Sequence, residues 1–116
     1  MLLALFAGIY VSDYEAATEW YGRLFGEEPS FIPNDTEAVW ELAEHRSIYI
    51  ELNPQGAGHS IVTIFVDDLG ERVAGIAERG IVPATRETYD NGVHKVLYRD
   101  PDGNEIGLGG AAPTRT

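Results

Sequence analysis

The chain has 116 residues, 44% of them hydrophobic, enough for one domain with a real core and too apolar for a disordered polymer. Lysine and arginine total 8 against 19 acidic residues, and the formal charge of −11 disfavours nucleic acid and anionic membranes as partners while attracting cations or simply keeping the protein soluble. The absence of cysteine excludes disulfides, thiolate metal sites and a cysteine nucleophile, and it suits a cytoplasmic location.

Taken in chain order, "MLLALFAGIYV" reads as a first β-strand. It has no basic leader and no small-residue cleavage site, so it is not read as a secretion signal, and it is too short to span a bilayer. Asn34-Asp35-Thr36 matches a glycosylation acceptor, which without an export signal is a chance match. Ser12 followed by Glu15 makes a capping-box pattern, and Ala17, Trp20, Tyr21 and Leu24 then fall on one helical face. Gly26 is placed to end that helix in the left-handed conformation. Three short strand-like runs follow, "SFIP", "AVWELAE" and "SIYIELN", and residues 53–60, "NPQGAGHS", form a linker.

The pattern then starts again. "TIFVDDLGERVAGIAERGIVP" repeats "GIYVSDYEAATEWYGRLFGEEP": Val66 matches Val11 and Asp68 matches Asp13, and with one residue dropped Gly80 matches Gly26 and Pro83 matches Pro29. Asp68 precedes Glu71 by three at the second helix start, Leu69, Val73, Ile76 and Ala77 make its buried stripe, and Gly80 ends it. The strand-like runs "IVPATRETY", "GVHKVLYR" and "EIGLG" complete the second half. The expected organisation is a single α+β domain over 1–116, made of tandem βαβββ units at about 1–55 and 56–112, with "GAAPTRT" as a loose tail. Asp100-Pro101-Asp102-Gly103-Asn104 is a tight hairpin turn in which Gly103 or Asn104 takes the left-handed conformation. The strand leaving it carries glycines at 107, 109 and 110, which weaken a strand and mark close approach by a ligand or another backbone.

Tandem βαβββ units, the "VSD…WY…LFG" opening and the "RDPDGN" hairpin together resemble the vicinal oxygen chelate superfamily, which includes glyoxalase I, extradiol dioxygenases, fosfomycin-resistance enzymes and bleomycin-resistance proteins. The resemblance implies a mixed sheet curled into a cupped, barrel-like surface with the helices outside. In metal-using members it implies four ligands in the cup, two from the first strands and two from the last strands of the halves. Carried over by motif, those positions are Phe6, Ile61, Glu51 and Gly107. Phe, Ile and Gly side chains cannot coordinate a divalent cation, so the resemblance is closest in character to the metal-free, bleomycin-resistance-like binding members, with no cofactor.

Period-two alternation gives the cup face Phe6, Gly8 and Tyr10, then Tyr49 and Glu51, then Ile61, Thr63 and Phe65. Leu97 and Arg99 precede the hairpin on that face, with Glu105 and Gly107 after it, and Arg99 is the expected cation partner of Glu51. Trp40 is the expected stacking side chain, while Trp20 belongs to the core. His45 is placed in a hairpin turn and His94 on the helix side or in solvent, and no serine has a triad context, so no catalytic residue is assigned. Two functional readings stand. One is metal-independent binding of a small, planar or cationic organic molecule such as an antibiotic, by a homodimer with no nucleic-acid or membrane partner. The alternative is a metal-dependent lyase, isomerase or dioxygenase that recruits His59, Glu51 and Glu105. A cup merely filled by its own side chains would serve neither.

Overall fold

A computed structural model describes residues 1–111, and 112–116 of the expected tail "GAAPTRT" lie outside the described residues. The first half runs β1 (Leu5–Val11), α1 (Tyr14–Phe25), β2 (Phe31–Asn34), β3 (Glu37–Ala43) and β4 (Arg46–Leu52). The second runs β5 (Ile61–Phe65), α2 (Leu69–Glu78), β6 (Thr85–Thr88), β7 (Val93–Arg99) and β8 (Glu105–Ala111). Each half forms its own four-stranded mixed sheet, in the orders β1-β4-β3-β2 and β5-β8-β7-β6. The first strand lies parallel to the last in each, and the other pairs are antiparallel. The α+β repeat expected from the sequence is therefore present, as two sheets that do not close into a barrel. Gly110 and Ala111, expected in the tail, are the last residues of β8.

Local chemistry starts α1 differently from the capping box expected at Ser12. Asp13 is the N-cap, and its carboxylate accepts from the Ala16 amide at 3.0 Å. Gly26 closes the helix at φ 75°, as its position predicts. The stripe Ala17, Trp20, Tyr21 and Leu24 is buried. In α2 the equivalent Asp68 accepts no amide; its carboxylate instead pairs with Arg72 at 2.6 Å. Leu69 and Ile76 are buried and Val73 is half-buried, but Ala77 is exposed. One residue past Ile76 advances the helix by about 100°, which carries Ala77 off the narrow stripe into solvent.

Alternation along the strands sends Ile9, Val11, Ile48 and Ile50 toward the helices in the first half, and Val96, Tyr98, Ile106 and Leu108 in the second. These join α1 and α2 in one continuous apolar core. One end of the molecule is fastened by the DPDGN hairpin. Asp100 is buried and its carboxylate accepts from Tyr21 Oη at 2.7 Å, Asn104 Nδ2 at 2.8 Å, and the Asp102 and Asn104 amides at 2.9 Å. Asn104 in turn accepts from the Gly58 and Ser60 amides at 3.0 Å and donates to the Tyr10 carbonyl at 2.9 Å. Asp102 accepts from both the amide and the hydroxyl of Ser12. Gly103, not Asn104, supplies the left-handed residue, at φ 92°. Burial, and then the Asp100 carboxylate beside it, push the Tyr21 phenol well above its ordinary value.

Candidate functional site

The face of each sheet turned away from the helices carries the expected cup residues. In the first sheet Phe6, Gly8 and Tyr10 run along β1 beside Ser47, Tyr49 and Glu51 of β4. The tip of the Tyr49 side chain lies over Gly8, where a Cβ would stand 2.6 Å from its Cζ and Oη. Phe6 is 52% exposed and Tyr10 43%, so this aromatic surface is open to solvent rather than filled. Glu51 stands directly opposite Glu37 across the antiparallel β3–β4 pair, both half-buried. Asn34 Nδ2 donates to Glu37 at 2.5 Å, and neither carboxylate has a cationic partner within 4 Å among the described residues. Like charges directly opposite each other in a sheet repel, and no cationic side chain of the described residues offsets this pair.

In the second sheet Ile61, Thr63 and Phe65 share the outward face with Leu97, Arg99, Glu105, Gly107 and Gly109. Ile61 is 72% exposed and Phe65 71%. Arg99 pairs with its cross-strand neighbour Glu105 at 3.6 Å, not with Glu51 as the sequence suggested. The glycines of β8 now have a structural account. The Phe65 ring lies over Gly109, 2.8 Å from the position a Cβ would take. The Lys95 side chain lies over Gly107, with Cε 2.7 Å and Nζ 3.6 Å from that position and Thr63 Oγ1 also at 3.6 Å. Gly110 faces the other way, where a Cβ would meet the Val66 carbonyl at 2.8 Å. Close approach is the reason for all three, but the approaching groups are the protein's own.

Trp40 requires correction. It is fully buried in the core, its ring 6.0 Å from Tyr21 and 5.8 Å from Phe25, and Nε1 donates to the Glu27 carbonyl at 3.0 Å. Its register with Ile48 places it on the helix side of the sheet, so it cannot stack on anything in the cup. The structure thus sorts the other expected residues into two groups, Phe6, Tyr10, Tyr49 and Glu51 on one sheet and Ile61, Thr63, Phe65, Leu97, Arg99 and Gly107 on the other. Lys95 and Glu37 were missed by the sequence reading. Alternation gives Lys95 the parity of Leu97, but its reach over Gly107 and the pairing of Glu37 with Glu51 are set by strand register.

The four positions where metal-using proteins of this architecture are expected to hold a cation do not fit one here. Phe6 and Ile61 bring no donor, and an ammonium-bearing arm covers Gly107, which would repel a divalent ion. His59 is exposed in the linker before β5, and His45 occupies the β3–β4 turn at φ 61°. Among the described residues no group of three or more His, Asp or Glu side chains is placed to hold a metal.

Comparison with known proteins agrees with this architecture. The model of the Glyoxalase/Bleomycin resistance protein/Dioxygenase superfamily matches residues 3–108. The chain belongs to that superfamily. A crystal structure of a glyoxalase / bleomycin resistance protein from Catenulispora acidiphila is 50% identical over 96% of this chain and 100% of its own, with a TM-score of 0.92. A bleomycin-binding protein in complex with bleomycin superposes with a TM-score of 0.75 at 18% identity, over 93% of this chain and 98% of its own. A lactoylglutathione lyase from Agrobacterium tumefaciens gives 0.75 at 20% identity, over 91% of each. At such identities the last two likenesses show the fold alone. A search of curated proteins found no match. No described helix is long and apolar enough to cross a membrane.

Proposed function

We propose that this superfamily member binds a small organic molecule, planar or cationic, in its cup without a metal ion, and that a second copy of the chain completes the cup. The observation that carries the reading is the open aromatic wall of Phe6, Tyr10 and Tyr49 beside the unneutralised Glu37–Glu51 pair. Aromatic stacking contributes about 0.5–1.5 kcal/mol per contact beyond area burial, and the paired carboxylates favour a cationic group on the same ligand. The likeness in fold to a bleomycin-binding protein supports this class of ligand. The exposed apolar side chains of both faces, Phe6 and Tyr10 in one sheet and Ile61 and Phe65 in the other, support a covering partner, and a two-fold dimer would bring the first sheet of one copy against the second sheet of the other.

The test is a calorimetric titration with bleomycin and planar polycyclic antibiotics in buffer containing a chelator, with light scattering to fix the assembly state. Binding tighter than millimolar, by a dimer, that weakens in Gly107→Glu is the expected result. A rise in melting temperature with nickel, zinc, manganese or iron that disappears in Glu51→Ala would replace this reading with the metal-dependent one.

A further inference from the structure

The two halves meet at two ends, and only one end is sealed. At the sealed end the β7–β8 hairpin docks on the β1–α1 corner through Ser12, Tyr21, Asp100, Asp102 and Asn104. The repeat-equivalent pieces at the other end are the β3–β4 hairpin and the β5–α2 corner. Among the described residues no hydrogen bond joins residues 42–47 to residues 62–72. Between them lies a cavity of about 690 Å³. It opens mainly on the helix side of the sheets, with Ser47, Thr63 and Phe65 of the outward-facing set at its border, and its apolar walls come from both halves: Ala7, Leu24 and Ile48 from the first, Val62, Ile64 and Ile76 from the second. The repeat shows what is missing there. Ile9 and Val11 are fully buried, whereas their counterparts Ile64 and Val66 are only half-buried.

The charge around this cavity runs against that of the whole chain. Three of the 8 basic residues, Arg46, Arg72 and Arg79, line it against one carboxylate, Asp67. Arg72 is held by Asp68, and Arg79 donates to the Arg23 and Leu24 carbonyls at the end of α1. Arg46 has no carboxylate within 4 Å among the described residues. Its planar guanidinium is suited to bidentate contact with a carboxylate, and the volume falls within the roughly 300–1,000 Å³ of small-molecule sites.

We infer that this cavity is a second binding site, separate from the cup, for a small amphiphilic anion whose apolar body lies between the halves and whose carboxylate meets Arg46. Calorimetry on the full chain with decanoate and with decyltrimethylammonium tests it, because the formal charge of −11 favours the cation everywhere else. Decanoate should bind once per chain and at least about tenfold more tightly than the cation, since hydrogen bonds to a charged group carry that much discrimination. Arg46→Met should weaken decanoate about tenfold with an unchanged melting temperature. Ala7→Phe should fill the cavity and abolish binding, and Val62→Phe at its half-buried edge makes the same test should the first variant fail to fold. Gly107→Glu, on the outward face, should leave decanoate affinity unchanged, which separates this site from the cup. Equal or tighter binding of the cation, an Arg46→Met affinity equal to that of the parent, or loss of decanoate binding in Gly107→Glu would each overturn the inference.

Discussion

The corner at residues 11–17 and its repeat-equivalent at residues 66–72 have the same backbone plan and different fates. At the first, Asp13 caps the helix, Ser12 is tied to Asp102, and Tyr21 reaches the buried Asp100. At the second, Asp68 spends its carboxylate on Arg72, the helix start has no side-chain cap, and a cavity separates the corner from the nearest hairpin. A duplicated unit keeps its strand and helix periodicities because each half needs them to fold. The contacts between halves are free to diverge, and one interface here became structural while the other stayed open.

The comparison breaks most visibly at Asp100. Asp100→Ala leaves Tyr21, Asn104 and two amides without their acceptor. A loss of about 3–5 kcal/mol in urea unfolding is expected, against under about 0.5 kcal/mol for Arg46→Gln at the open end. Similar costs for the two would show that the ends are not different. The matched core pair sharpens the point: Ile9→Ala should cost roughly 2–4 kcal/mol and Ile64→Ala roughly half that or less, because Ile64 already borders empty space. Thermal melts of both variants at one scan rate decide it.

Glycines give a smaller contrast. At Gly58 the backbone sits at φ 94°, and a Cβ would stand 2.7 Å from the Asp102 carbonyl at the sealed end, so Gly58→Ala should lose about 1–3 kcal/mol. At Gly107 only the far end of the Lys95 side chain must move, and Gly107→Ala should cost under about 1 kcal/mol. A last effect of the sealed end is in alkali. The Tyr21 phenol is raised above its ordinary value of 10.0 in the folded state, so above that pH the unfolded chain releases its proton first. Stability should therefore fall with rising pH, by up to about 1.4 kcal/mol per unit from this group, and the slope should flatten in Tyr21→Phe.

Much of this was readable from periodicity. The repeat offset, the α1 stripe, the hairpin turn and the outward face of β1, β4 and β5 are local patterns of two or 3.6 residues. Trp40 was not, because "AVWELAE" places apolar residues on both parities and only the pairing of Trp40 with Ile48 assigns its side. The Ser12–Asp102 contact spans 90 residues, and no local pattern announces which hairpin will dock on which corner. Lys95 was missed for a related reason: a long side chain reaches diagonally across a glycine, so its position depends on the neighbouring strand as well as its own.

Native-state hydrogen exchange at one matched pair of amides tests the difference between the ends most directly. Ala16 and Glu71 occupy the same place in the repeat, three residues after Asp13 and Asp68. The Ala16 amide donates to Asp13 at 3.0 Å, while the Asp68 side chain caps no amide of α2. Exchange at Ala16 should be slowed toward the rate of global unfolding, and exchange at Glu71 should proceed near the rate of an unstructured peptide. Equal protection at the two amides would contradict the account.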